Sequence, residues 1–270
     1  MKNRYELAKN AFVDATNIEE FVEVPSSVFA YEQLEESLDK PIKMILFFGK
    51  PGTGKSILLH RLYTQLKYQK EIHYFPTPPA TLKEFLSQFF KVLTGHNLPP
   101  NTEVNFSALV KFCETIRGKR EIIILLDEAQ MYTPTMMEKI RLLSDTHTVK
   151  FVITLHKTED EELIAKEHFQ SRILETIELK NVTQDEQTFY IHQRLLKQNL
   201  FDVSHSIKDK SMQLIYQLSK GNHRECNKLL FTIFEICDYY DKNEPTKIDN
   251  TTLSQKIIEM AALKLGYIHA

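Results

Sequence analysis

Residues 47–60 read FFGKPGTGKSILLH, and three of the chain's seven glycines, Gly49, Gly52 and Gly54, fall within six positions there. An apolar run precedes them and a helix-like run follows. Gly49 to Ser56 fits the pattern G-x-x-x-x-G-K-[ST]. In that pattern the backbone curls so that successive N–H groups point inward at phosphate oxygens. The helix that follows adds its positive N-terminal end. Gly49, Lys50, Pro51, Gly52, Thr53, Gly54, Lys55, Ser56 and Ile57 are therefore the candidate nucleotide contacts. Lys55 can reach the β- and γ-phosphates, and Ser56 can offer a hydroxyl to Mg²⁺.

The flanking sequence predicts an α/β fold. IKMILFFG (42–49) is a short apolar run ending in glycine, as a buried strand does. SSVFAYEQLEESLDK (26–40) reads as a helix that Ser27 could cap and Pro41 stops. Further helices are expected over 56–70, 81–93, 103–117 and 134–145, the last opening on Pro134. Further strands are expected at EIHYF (71–75), EIIILLDEAQ (121–130), VKFVITLH (149–156) and ILETIELK (173–180). Five strands separated by helices imply a parallel sheet covered on both faces. Beyond Asn181 the pattern changes to helices alone, over 183–198, 207–220, 222–241 and 250–265. The expected division is an arm over 1–25, an α/β domain over 26–181 and a helical lid over 182–270. Phe85, Phe89, Phe90, Met136 and Met137 fit core faces of helices.

The chemistry-bearing residues cluster at strand ends. Asp127 and Glu128 follow a fully apolar strand, at the carboxyl edge where α/β ligands bind. Asp127 suits the Mg²⁺ shell, and Glu128 suits a water attacking the γ-phosphate. A passive binder needs no second carboxylate, so the pair points to hydrolysis. The next strand ends VITLH, where Thr154 or His156 could hold the water or sense the phosphate. Arg172 directly precedes the last strand, and its permanent charge suits phosphate. Arg224 opens a helix after Gly221, from which a lid could carry it over the nucleotide.

Composition narrows the class. The 270 residues are 42% hydrophobic and 26% charged, with net charge −2, an ordinary globular balance rather than a strongly basic nucleic-acid binder. The basic and aromatic run HRLYTQLKYQK (60–70) could still join a DNA-facing stripe in an assembly. Cys113, Cys226 and Cys237 are far apart and odd in number, which fits free thiols in a reducing compartment. The first residues lack an apolar signal core, and no run approaches the ~20 residues of a membrane span. A cytoplasmic protein is expected, peripheral to the inner membrane through a partner at most. The ten histidines show no metal-ligand spacing, so no zinc site is expected.

Taken together, the phosphate loop, the apolar strand ending in Asp-Glu, the polar strand tip, Ser171-Arg172 and the GNHR of 221–224 resemble an AAA+ P-loop ATPase. Within that family LLDEAQ, IRLLSD, YIHQRLL (190–196) and GNHRECNKLL (221–230) are most similar to the ExeA-type secretion ATPases. Transposition ATPases and archaeal replication initiators share much of the pattern. The chain departs from the ExeA-type group at Leu155-His156, where a Gly-Gln pair is usual, and at His223, where proline is usual. By this resemblance Thr154 or His156 is sensor 1, Arg224 is sensor 2, and Arg172 is an arginine finger. It implies ATP and Mg²⁺ bound between the α/β domain and the lid. It also implies nucleotide-dependent self-association into a ring or filament, with Arg172 reaching a neighbour's γ-phosphate. The activity it implies is ATP hydrolysis that drives a secretion, pilus or DNA-uptake machine through a protein client. The alternative is a DNA-associated ATPase of transposition, replication or recombination.

Overall fold

The computed structural model describes residues 4–13, 18–99, 102–156, 171–249 and 251–269. The chain divides into two compact units. The first contains residues 1–28, 51–54 and 180–270, and the second contains 29–50 and 55–179. Among the described residues no helix is long and apolar enough to cross a membrane.

The second unit is built on a sheet. Its described strands are β1 (Met44–Gly49), β2 (Ile72–Phe75), β3 (Ile122–Leu126), β4 (Val149–His156) and β5 (Ile173–Glu178). They lie in the order β2-β3-β4-β1-β5, with every described pairing parallel. Its helices are α2 (Pro25–Asp39, in this unit from Phe29 onward), α3 (Lys55–Leu66), α4 (Leu82–Thr94), α5 (Phe106–Ile116) and α6 (Pro134–Ser144). All five residues of β3 are buried, as a strand covered on both faces must be. The two faces alternate with the pleat. Ile122, Ile124, Leu126, Phe151, Ile153 and Leu155 join a core with Phe85, Phe89, Met136 and Met137 of α4 and α6, and Phe90 packs partly buried against it. Ile123, Leu125 and Val152 point the other way. Edge strand β5 alternates instead of running apolar throughout, leaving Leu174 exposed.

Helix starts follow local chemistry. Thr81, Asn105 and Thr133 each accept an N–H of the first turn through a side-chain oxygen. In α2 the expected cap shifts. Pro25 occupies the first turn, and Ser27 sits inside the helix, donating to the Val24 carbonyl (2.8 Å) and accepting its N–H (3.2 Å). Proline's preset φ extends the helix two residues upstream of the expected cap.

The first unit is helical: α1 (Arg4–Ala11), α7 (Gln184–Lys197), α8 (Phe201–Ser206), α9 (Asp209–Ser219), α10 (His223–Asn243) and α11 (Gln255–Lys264). Tyr5, Ala8, Ala11 and Phe12 share a buried core with Ile233 and Phe234 of α10, and Phe12 stacks on Phe234. Arg194 donates to the carbonyls of Ala11, the last residue of α1 (2.8 Å), and of Glu20 (3.1 Å), and pairs with the Glu20 carboxylate (2.9 Å). Thr183 and Glu186 form a reciprocal capping box at α7.

Candidate functional site

Sheet order brings the acidic strand end and the polar strand tip together. Strand β4 lies between β1 and β3, with Phe47 opposite Thr154, Gly49 opposite His156 and Leu126 opposite Ile153. Residues 125, 127, 152 and 154 share one face of the pleat, so Asp127 and Thr154 meet across β3 and β4. Thr154 Oγ1 donates to Asp127 Oδ1 and accepts the Glu128 N–H at 3.1 Å. The Glu128 N–H also reaches Asp127 Oδ1 at 3.0 Å.

Tyr74 shares that face through its register with Leu125, and its hydroxyl donates to Asp127 Oδ2 at 3.2 Å. Its ring stacks on His60 of α3 at 5.7 Å between centroids. Burial, with the Asp127 charge beside it, pushes the Tyr74 phenol far above its ordinary range. The phenol therefore stays protonated and can only donate to Asp127.

Glu128 leaves the sheet in the left-handed region, at φ 52° and ψ 44°. A side-chain residue there costs on the order of 1–3 kcal/mol and needs bracing. The Thr154 hydroxyl supplies part of the brace. Two further groups hold the Glu128 carboxylate. Gln130 donates its amide to Oε2, and His156 Nε2 lies 3.2 Å from the same oxygen. Gln130 Nε2 is also 3.3 Å from His156 Nδ1. Asp127, Glu128, Thr154 and His156 thus form one connected group. Tyr74 and Gln130 belong to it without having been singled out in the sequence reading. Gln130 stands in the quoted LLDEAQ, two residues past Glu128, and that spacing was a readable signal. Tyr74 carried none, because only the β2–β3 register brings it to Asp127.

The phosphate-loop sequence runs from the end of β1 into α3. Lys55 is 5% exposed and its Nζ donates to the carbonyls of Gly49 (2.8 Å) and Lys50 (3.0 Å). Helix α3 starts at Lys55, so Ser56 and Ile57 fall in its first turn. In the first unit, Thr53 is buried, and Gly52 adopts φ 81° against Asn222 and Arg224. Gly54 stands at φ 105°. Arg224 is exposed, on the first turn of α10.

Arg172 stands elsewhere in the second unit. Its neighbour Ile173 pairs with Met44, at the opposite end of β1 from Gly49. Five residues at about 3.3 Å each separate those ends by roughly 16 Å. Arg172 Nε and Nη2 each donate to Asp145 at 2.9 Å. Lys43 and Arg141 converge on the same carboxylate, at 2.9 and 3.2 Å. Burial alone would raise the Asp145 carboxyl, but the bonds from Arg172 and Lys43 outweigh it and lower it to about 2.

The residues present fit a divalent cation. Asp127 is 3% exposed, and the groups that bond it among the described residues are two hydroxyls and an N–H, all neutral. A buried carboxylate without a cationic partner is costly, and an oxygen-seeking Mg²⁺ would relieve it.

Comparison with known proteins follows the same lines. Residues 39–163 match the family model described as AAA domain. General secretion pathway protein A of Aeromonas hydrophila is 25% identical over 196 residues, covering 68% of this chain and 35% of that protein. The chain therefore spans little more than a third of that relative's length. The crystal structure of Cdc6p from Pyrobaculum aerophilum superposes with a TM-score of 0.65 at 14% identity, covering 95% of this chain and 70% of that one. ORC1 of Aeropyrum pernix, solved in complex with DNA, gives 0.63 at 16%, covering 95% and 69%. Domain III of the Thermotoga maritima replication initiation protein DnaA gives 0.52 at 17%, covering 93% and 97%.

Proposed function

We propose that this chain, whose residues 39–163 are an AAA domain on the fold of the P-loop AAA+ ATPases, binds ATP with Mg²⁺ and hydrolyses it. The observation that carries the reading is the braced carboxylate pair at the end of β3, with Glu128 held by Thr154, Gln130 and His156. Backbone N–H groups of residues 52–56 receive the phosphates. Lys55 exchanges its carbonyl partners for phosphate oxygens. Ser56 and Asp127 hold the metal, which when bound neutralises phosphate charge. Glu128 orients the attacking water and takes up its proton. Thr154 sets the Glu128 backbone, and His156 steadies its carboxylate, so the two polar residues of the strand tip share the sensing role. Arg224 supplies a further cation to the phosphates.

Arg172 acts in trans. Its place at the start of β5, at the opposite end of β1 from Gly49, removes it from its own phosphate loop, which supports a role on a neighbouring subunit's nucleotide. The protein then self-associates, as a ring or filament, to complete the site. The client is a protein machine of the secretion, pilus or DNA-uptake kind, reached from the cytoplasm. The likeness to general secretion pathway protein A supports that choice. The likeness to an ORC1 solved with DNA supports DNA as the alternative client.

Steady-state ATP turnover at rising protein concentration tests this. Glu128→Gln should retain nucleotide binding and lose at least about 10²-fold in turnover. Arg172→Ala should lose about 10³-fold or more at concentrations where the wild type is assembled. Full turnover in Glu128→Gln would remove hydrolysis from this site. Stimulation by DNA that weakens with salt would select the alternative client.

A further inference from the structure

Asn222 ties Pro51 to the start of α10 within the first unit. Its Oδ1 accepts the N–H groups of Arg224 (3.1 Å) and Glu225 (3.3 Å), capping α10. Its Nδ2 donates to the Pro51 carbonyl at 2.8 Å. Beside it, the Arg224 N–H donates to the Gly52 carbonyl at 3.3 Å. The preceding Gly221 accepts the Val182 N–H at 3.0 Å. Both glycines are closed to side chains. A Cβ on Gly52 would stand 2.5 Å from Asn222 Oδ1, and one on Gly221 would stand 2.2 Å from the Val182 oxygen. The asparagine itself is 8% exposed.

A loop that receives phosphate turns its N–H groups inward. Each peptide is planar and trans, so its carbonyl and its N–H point in opposite directions. Holding the Pro51 carbonyl therefore aims the Gly52 N–H, and holding the Gly52 carbonyl aims the Thr53 N–H. Those are the two carbonyls taken by Asn222 and by the first turn it caps. Only a side chain with both an amide donor and an oxygen acceptor can cap α10 and grip Pro51 together. Serine and aspartate cap as well, but supply no donor of that reach.

We propose that Asn222 is a positioning residue for nucleotide binding, holding the Pro51–Gly52 peptides in the phosphate-receiving orientation. This rests on reading residues 49–56 as a phosphate loop.

The test is Asn222→Ser, which keeps the cap and loses the grip. Amide hydrogen exchange at Gly52 and Thr53 is measured without nucleotide, and the Kd for ADP by calorimetry. Loss of one neutral hydrogen bond should speed exchange and raise the Kd by about three- to tenfold, with melting within a few degrees of wild type. Unchanged exchange overturns the proposal, as does faster exchange with an unchanged Kd. If serine fails to fold, Asn222→Asp keeps a strong cap, and exchange at Gly52 and Thr53 should still accelerate. If the wild type binds no ADP yet Asn222→Ser still speeds exchange, the phosphate-loop reading is what fails, and the nucleotide role of Asn222 falls with it.

Discussion

Thr154→Val removes one oxygen and keeps the shape of a side chain that is 1% exposed. That oxygen donates to the Asp127 carboxylate and accepts the Glu128 N–H. A hydrogen bond to a charged group contributes about 1.5–3 kcal/mol, and a neutral one about 1 kcal/mol. Valine can make neither, and its methyl group occupies the hydroxyl's place, so no water can substitute. The expected loss is about 3 kcal/mol, which for a domain of about 150 residues lowers Tm by roughly 6–12 °C. Turnover should fall too, because Glu128 loses the brace on its left-handed backbone. ADP binding should stay within about twofold, since Thr154 bonds to β3 and its end rather than to the loop. Thr154→Ser keeps the oxygen and is the control. Scanning calorimetry with ADP titration reads both effects. If Thr154→Val melts within 1 °C of wild type, or Thr154→Ser is as damaged as Thr154→Val, the assignment of Thr154 as the brace is wrong.

His223 gives a pH dependence. Burial lowers its imidazole from 6.5 to about 4, and its Nδ1 is buried with no partner among the described residues. The unfolded chain therefore takes up this proton first as pH falls. The contribution to stability is full above pH 6.5 and shrinks down to about pH 4, by roughly 2 kcal/mol at pH 5. His223 is the first residue of α10, where proline is tolerated. Urea unfolding at pH 7.5 and 5 should show His223→Pro folded with that share of the slope gone. An equal slope would assign it to other groups. Arg194→Met should loosen the N-terminal segment, leaving the Ala11 and Glu20 carbonyls without their guanidinium. Exchange over residues 4–13 should quicken while exchange in β3 stays slow, and stability should drop by about 3 kcal/mol. Protection of residues 4–13 equal to wild type would show that the α1–α10 core alone retains the segment.

Local pattern carried much of this molecule. The glycines at 49, 52 and 54 between an apolar run and a helix-like one marked a strand-to-helix turn, and β1 does end at Gly49 and α3 start at Lys55, with Gly52 and Gly54 at positive φ. IIILL ahead of Asp127 marked a central strand, because a strand covered on both faces cannot alternate. Edge strand β5, with Leu174 and Thr176 outward, gave a weaker signal for the same reason. The short helix α8 escaped because six residues hold less than two turns of periodicity. At α2 the pattern favoured Ser27 as a cap, and Pro25 started the helix earlier.

Convergence of distant side chains was not legible. That Thr154 rather than a solvent group meets Asp127 depends on β4 lying between β1 and β3, and on a register set by contacts many residues apart. Tyr74 reaches Asp127 by the same register, Asp145 takes Arg172 because α6 ends beside the start of β5, and Asn222 finds Pro51 across 171 residues of chain. Helix and strand periods are short-range properties of a chain, so they can be read along it. Hydrogen-bond partners far apart in the chain are chosen by packing in three dimensions; Gln130, two residues past Glu128, is within reach of local spacing, whereas Tyr74, Thr154 and Asn222 are not.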